Sequence, residues 1–552
     1  MKAVRQLGVF LANFAWLLAC LPGALTFYFA IFAPRFTQRR LLRTILKRAA
    51  DTRYGREHEF ERMAHDLNEF QSHPVSDYEK FRPFVDAIAS GETSVLTAEA
   101  VTLLQPTSGT SSARKLIPLT SGLLRQFHAA IAPWIAGLYL LRPRLLFGRQ
   151  YWCISPNMPP PAIGSTVPVG FADDTEYLGA WQRWFAAKLM VAPPELARVE
   201  DAAVFEFLTL LFLVREKNLR LISVWHPSFL TLLLAALPRH ADRMAEVLRN
   251  GKLPAALVLP KEIQAALNTH LSPDPKRSDE FVHGISESGT ELTWLWPQLQ
   301  VISCWVSQEA EPKITQLRRT FPQVKIQPKG LLATEGVVSI PWGFSNKQVA
   351  AVRSHYLEFL ESSDINQVKS LGELQRGKTY SVMMSTAGGL FRYQLHDRVR
   401  VTGFCGRTPA LEFLGREGLV SDLCGEKLSG EDVEFAIEQL QRSTGWSFDF
   451  AMVAPDTSGI TPGYVAILET EQKATPSVID IREEILDQML QKNFHYAHAR
   501  RLGQLRPLRV WHVRNATLTY RNWLVQRGHR TGEIKFPQLC KEASLVEAFR
   551  DL

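Results

Sequence analysis

Thr107-Ser108-Gly109-Thr110-Ser111-Ser112-Ala113-Arg114-Lys115 follows an apolar run at 100–104 and carries the parts of a phosphate-wrapping loop. Glycine lets the backbone approach an anion, main-chain N–H groups and hydroxyls donate hydrogen bonds, and Arg114 and Lys115 supply opposite charge. The GxxxxGK spacing of a Walker A loop is absent. The same string also suits a Ser/Thr-rich surface turn, so its company along the chain has to decide.

Three later segments supply that company. Gly330-Leu331-Leu332-Ala333-Thr334-Glu335-Gly336 sets a hydroxyl beside a carboxylate between glycines, a pairing suited to touching phosphate and holding Mg2+ through oxygen. Phe391-Arg392-Tyr393-Gln394-Leu395-His396-Asp397 stands directly before an expected strand at 399–404, and its acid could bind ribose hydroxyls. Gly415-Arg416-Glu417-Gly418 leads to Gly425-Glu426-Lys427-Leu428-Ser429-Gly430-Glu431, where the pattern changes. Upstream of it, helical spacing at 200–214 and 227–236 alternates with short apolar runs at 219–224, 299–306, 380–384 and 399–404, which predicts an α/β body. Downstream, strands at 448–453, 463–468 and 506–513 with a helix at 479–492 predict a smaller α+β cap.

In this order the segments resemble the adenylate-forming superfamily, and most closely its auxin-responsive promoter, or Gretchen Hagen, family of acyl acid amido synthetases. The resemblance covers nearly the whole chain and extends to Ala50-Asp51-Thr52-Arg53-Tyr54-Gly55-Arg56-Glu57-His58, Ser223-Val224-Trp225-His226-Pro227-Ser228-Phe229-Leu230 and Ile302-Ser303-Cys304-Trp305. It implies a two-step, AMP-forming ligase that uses ATP and Mg2+. A carboxylate attacks the α-phosphate, pyrophosphate leaves, and an amine, an amino acid by family analogy, takes the acyl group. By the same resemblance Ser108, Gly109, Thr110 and Lys115 hold phosphates, Thr334 the α-phosphate, Glu335 the metal and Asp397 the ribose, and Arg416 joins the nucleotide contacts. Gly528-His529-Arg530-Thr531-Gly532-Glu533-Ile534-Lys535 is similar to the cap loop that presents a catalytic lysine, Lys535.

The expected architecture is an apolar segment at 1–35, a large adenylating domain at 36–414 and a mobile cap at 415–552 with its hinge at 415–418. Phe127, Trp134 and Trp225 are candidate walls of the acid pocket. Departures from the family are Ser112 for a second loop glycine, Leu331 for an adenine-stacking aromatic, and Gln394 and His396 for an arginine and a glycine. Two other functions stay open: activation with a thiol or alcohol acceptor, and a catalytically weak nucleotide-binding, membrane-tethered module.

Composition agrees with a folded, multidomain protein of 552 residues, 46% hydrophobic and 21% charged. Net charge is +8, yet no basic stripe interleaved with aromatics marks a nucleic-acid surface. The six cysteines show no metal-ligand spacing and read as free thiols of a reducing cytosol. Residues 7–33 are nearly continuous apolar sequence, long enough to cross a bilayer. Pro22-Gly23 is expected to divide them into two short helices that pack on the body or lie against a membrane face; a true span is the alternative. Lys2 and Arg5 precede the segment, and Arg35, Arg39, Arg40, Arg43, Lys47 and Arg48 follow it, so a span would leave the body cytoplasmic. An amphipathic helix follows at 39–50, with Leu41, Leu42, Ile45, Leu46 and Ala49 on one face. The expected location is the cytoplasm, with attachment to the inner membrane face left open.

Overall fold

A computed structural model describes residues 2–107, 115–153, 165–170, 188–287, 289–306, 310–343, 347–361, 364–416, 420–459, 461–470, 476–529, 531 and 534–550. The chain divides into two compact units, Met1–Val306 with Leu317–Gly415, and Ser307–Gln316 with Arg416–Leu552.

The first unit opens with α1 (Lys2–Ala30), one helix that carries Pro22 inside it. This corrects the expectation of a break at Pro22-Gly23. Thr26 Oγ1 donates to the Pro22 and Gly23 carbonyls at 2.8 and 2.9 Å. Gly23 lets the helix press against the Ser121–Leu141 helix, since a Cβ there would stand 2.8 Å from the Ala132 Cβ. Packing therefore keeps continuous what local propensity would interrupt. The next helix, α2 (Pro34–Ala49), buries Leu42, Ile45, Leu46 and Ala49 and exposes its arginines, the amphipathic pattern read from its sequence.

The hairpin β1 (Val101–Pro106) and β2 (Leu116–Thr120) flanks the phosphate-loop sequence. The strands β3 (Arg149–Trp152), β4 (Leu219–Ser223), β5 (Val301–Cys304) and β6 (Lys325–Pro328) pair in parallel in that order. The inner pair, β4 and β5, are short and mainly apolar, and the four strands are joined through helices, as parallel strands require. One of those helices, Ala202–Arg215, starts where the Asp201 carboxylate accepts from the Ala203 and Val204 N–H groups.

A second sheet holds β7 (Ser339–Pro341), β8 (Gln348–Ala350), β9 (Tyr356–Glu361), β10 (Asp364–Ser370), β11 (Thr379–Ser385), β12 (Tyr393–Cys405) and β13 (Thr408–Arg416). Their order is β10-β9-β11-β12-β13-β8-β7. The strand expected at 399–404 starts at Tyr393 and so includes Asp397. It pairs with β11 through a bulge: Ser381 faces Arg398 while Met383 faces Gln394.

In the second unit, β14 (Val420–Ser421) and β15 (Leu428–Ser429) form a small hairpin. Next come β16 (Phe450–Asp456), β17 (Gly463–Glu469) and β18 (Arg509–His512), with β17 central. Alternate residues of the central strand serve two cores. Tyr464, Ala466 and Leu468 pack with Val433, Ile437 and Leu486, whereas Val465 and Ile467 pack with Tyr520, Trp523 and Phe549. Period-two alternation with apolar residues on both faces is what a sheet covered on both sides needs. The Gly430–Thr444 helix begins in a capping box between Ser429 and Asp432 and ends at Gly445.

Candidate active site

Lys115, just before β2, is fixed by main-chain bonds: Thr107 N–H donates to its carbonyl at 2.9 Å. The next residue, Leu116, is held from below, since its N–H donates to Tyr78 Oη at 2.8 Å and its carbonyl accepts from the same hydroxyl at 3.2 Å. Burial raises the Tyr78 phenol, keeping that donor protonated. The Lys115 ammonium lies 5.9 Å from the Tyr78 ring centroid and 5.8 Å from that of Tyr393, within cation–π reach of both.

Thr334 and Glu335 occupy the tip of a tight turn. Ala333 N–H donates to the Gly336 carbonyl at 2.9 Å, Gly336 N–H returns to Ala333 at 3.2 Å, and Leu332 bridges Val337. Thr334 is half-buried and Glu335 buried. Tyr393, the first residue of β12, ties the segments together. Lys115 Nζ donates to Tyr393 Oη at 3.3 Å, and Tyr393 Oη donates to Glu335 Oε1 at 3.4 Å. A cation from the phosphate-loop margin, a carboxylate from the turn and the strand that carries Asp397 thus meet at one phenol.

Asp397 is buried in the bulged part of β12, and His396 beside it has φ +61°. That left-handed conformation is one that glycine adopts freely. Arg392 has φ +44°; it pairs with Glu358 at 3.1 Å and donates to the Gln71 and His73 carbonyls, pinning the start of β12 to the unit's interior.

The turn rests on a histidine that the sequence did not flag. His355 is fully buried; its Nδ1 accepts from Val337 N–H at 3.2 Å and stands 2.7 Å from Ser354 Oγ. Burial pushes its pKa down to about 3, so the ring is neutral, with its proton on Nε2 if Nδ1 accepts the Val337 bond. A Cβ on Gly336 would lie 2.8 Å from that Nε2. Tyr393 and Tyr78 were also missed. Tyr393 lies in a quoted motif, but its role depends on residues far away in sequence.

Of the candidate pocket walls, Phe127 and Trp134 are buried two turns apart on the Ser121–Leu141 helix, and Trp225 is half-buried. Phe127 meets His355 edge-on at 5.6 Å. Lys329 Nζ lies 4.3 Å from the Trp225 ring and 5.9 Å from that of Trp134, whose Nε1 donates to Gln327 at 3.1 Å. His226 is a helix cap, its Nδ1 accepting from Ser228 N–H at 3.2 Å.

Ser108, Gly109 and Thr110 lie outside the described residues, as do Glu417 and Gly418 of the expected hinge. Gly415 ends the first unit with φ +133°, and Arg416 begins the second. Lys535 is exposed in the second unit. Among the described residues no cluster of His, Cys, Asp and Glu forms a metal cage. A lone buried carboxylate still fits Mg2+, which is usually held by one or two carboxylates plus substrate phosphates.

Family models match three consecutive stretches: the GH3 family N-terminal domain over residues 27–326, the central domain over 348–416 and the C-terminal domain over 431–544. A 4-substituted benzoates-glutamate ligase of Arabidopsis thaliana is 24% identical over 518 residues, 86% of this chain and 87% of its own. A probable indole-3-acetic acid-amido synthetase of Oryza sativa subsp. japonica is 25% identical over 454 residues, 73% of this chain and 72% of its own. The solved structure of an acyl acid amido synthetase, GH3.15, with 2,4-DB superposes with a TM-score of 0.82 at 20% identity, covering 96% of this chain and 95% of that one. A 2-hydroxyisobutyryl-CoA ligase with 2-HIB-AMP gives 0.52 at 13% identity over 93% and 90%. The fold is that of the adenylate-forming ligases, a large α/β part followed by a smaller one, as the motifs implied. With all three domain models matched in order, the chain belongs to the GH3 family.

Proposed function

We propose that this GH3-family chain is an ATP-dependent, AMP-forming ligase that activates a small carboxylic acid as its acyl-adenylate and passes the acyl group to the amine of an amino acid. The observation that carries the reading is the junction at Tyr393, which links Lys115 to Glu335 on the strand that bears Asp397. The relatives' names give the substrate class: benzoates with glutamate in one, indole-3-acetic acid in another.

In the first step an oxygen of the acid bonds to the α-phosphorus and the bond to the bridging oxygen breaks, releasing pyrophosphate. Charge builds on the phosphate oxygens, where Lys115 and the Thr334 hydroxyl stabilise it electrostatically. Glu335 would hold Mg2+, which neutralises the phosphate charge. Tyr393 keeps the lysine and the carboxylate in register, a positioning role. In the second step the amine nitrogen attacks the acyl carbon, AMP departs with the electron pair, and the amine loses a proton. Lys535 is assigned to the first step by its motif; Arg416 and Asp397 are assigned to the nucleotide.

ATP–pyrophosphate exchange, screened over benzoic, indolyl and aliphatic acids, tests step one without knowledge of the acceptor. Exchange with at least one acid is expected; ATP binding without exchange for any acid sinks the reading. Asp397→Ala should lower ATP affinity about ten- to a hundredfold, the scale of hydrogen bonds to a charged group. Lys535→Ala should lower exchange about a hundredfold or more, while consumption of supplied acyl-adenylate changes far less.

A further inference from the structure

The helix α1 has two apolar faces, and among the described residues only one of them is buried against the fold. Val9, Ala12, Trp16, Leu17, Cys20, Ala24 and Phe27 are buried in the core of the first unit. On the opposite side Leu7, Leu11, Phe14, Leu18, Leu25 and Phe29 recur at helical spacing and are between 40% and 69% exposed. Phe32 and Phe36 continue the exposed apolar series past the end of α1, and Phe147 joins it by stacking on Phe10 at 5.0 Å. No charged residue interrupts the chain between Arg5 and Arg35. A surface helix of a water-soluble protein normally turns polar side chains outward; this one turns out leucine and phenylalanine from Leu7 to Phe29, about 33 Å.

The charge around this stripe selects its partner. Every charged residue before Asp51 is basic, and Arg35, Arg39, Arg40, Arg43 and Lys47 are exposed just beyond the helix. We propose that the bare face of α1 docks parallel to a lipid bilayer carrying anionic headgroups, with α2 supplying the cations. An apolar face flanked by cations, on a helix lying in the interface, is the form such surfaces take. Two rival occupants fit worse. A second copy of the chain would bring one wholly basic N-terminal segment against another, since no acid precedes Asp51. Spanning would tear Asn13 from its place: its Nδ2 donates to the Leu146 and Gly148 carbonyls at 3.0 and 2.9 Å, and its Oδ1 accepts from Tyr139 Oη at 2.6 Å. The family match begins at residue 27, so most of this face precedes it. The inference rests on no part of the acid-activating reading.

Flotation of the purified full chain tests it, with vesicles of phosphatidylcholine alone and of phosphatidylcholine mixed with phosphatidylglycerol. Binding is expected to the mixed vesicles, weakened by high salt. Leu11→Gln, Leu18→Gln and Phe29→Gln should each lower the partition about tenfold. Arg39→Gln and Arg40→Gln should each lower it about fivefold, and only for the anionic vesicles. Circular dichroism and the urea unfolding midpoint should be unchanged in all five, which separates lost docking from misfolding. No flotation, or flotation indifferent to these substitutions, overturns the proposal. So does a dimer that the leucine variants convert to monomer without changing vesicle binding, and so does resistance of membrane-bound protein to alkaline carbonate, the mark of a span.

Discussion

Gly336 and His355 form a tight pair at the site. Any side chain at position 336 meets the imidazole at 2.8 to 3.0 Å, and that imidazole is enclosed on its other side by Ser354 and Phe127. Gly336→Ala should therefore cost about 1–3 kcal/mol of stability, the usual range for overpacking, and displace Thr334 and Glu335 enough to slow pyrophosphate exchange. His355→Ala in the same chain removes the obstacle, so the double variant should lose less than the sum of the singles in urea unfolding. Strict additivity would show that the turn does not rest on the ring. His396 makes the opposite case. Its φ of +61° costs a non-glycine residue roughly 1–2 kcal/mol, of which a more flexible unfolded chain takes back about half when glycine replaces it. His396→Gly should raise stability by about 0.5–1 kcal/mol, read as a higher thermal midpoint. A lower midpoint would mean that the imidazole makes contacts worth more than the strain.

Among the elements, α1 is held by one buried polar residue in addition to its apolar face. Asn13→Ala would strip partners from Tyr139 Oη, Gln150 Nε2 and two main-chain carbonyls, all inside the unit. At about 1–3 kcal/mol for each buried group left unsatisfied, a loss of about 2–4 kcal/mol is expected in urea unfolding. A loss under 0.5 kcal/mol would show that α1 is held by its apolar contacts alone. Which elements were legible follows from how local their causes are. The runs at 219–224 and 380–384 appear as Leu219–Ser223 and Thr379–Ser385 because a buried strand announces itself in a few consecutive residues. The continuity of α1 through Pro22 did not, since it depends on the fit of Gly23 against Ala132, more than a hundred residues away. The site divides the same way. Glu335 and Asp397 stand in short motifs, whereas Tyr393 and His355 acquire their roles only when Lys115, Glu335 and Gly336 arrive beside them.

Across the described residues, His355, His73 and His512 are held neutral and shape how the fold responds to acid. Burial pushes His355 and His73 down to about 3, with His58 and Arg392 adding to the effect at His73, and burial with Arg482 lowers His512 to about 4. Each has an ordinary value of 6.5, so between there and its folded value the unfolded chain binds a proton that the native state refuses. Stability is then complete above pH 6.5 and falls as pH is lowered through that window. At pH 5 a histidine so perturbed costs about 2 kcal/mol relative to neutral pH. The carboxylates that hydrogen bonds keep low, among them Asp456 and Asp487, start from an ordinary 3.8 and act only in stronger acid. Glu358, whose carboxyl burial raises while Arg392 opposes it, works in the other direction. The comparison that isolates one histidine is therefore the wild-type chain against His355→Leu, with urea unfolding measured from pH 7.5 to 5. The substitution lowers stability at neutral pH by removing the Val337 bond, but it also deletes one proton uptake. The gap between the two chains should thus narrow by about 2 kcal/mol on going to pH 5. A gap that stays constant would mean that His355 takes up its proton in the native state as readily as in the unfolded chain, and that the turn carrying Thr334 and Glu335 accommodates a charged ring below pH 6.5.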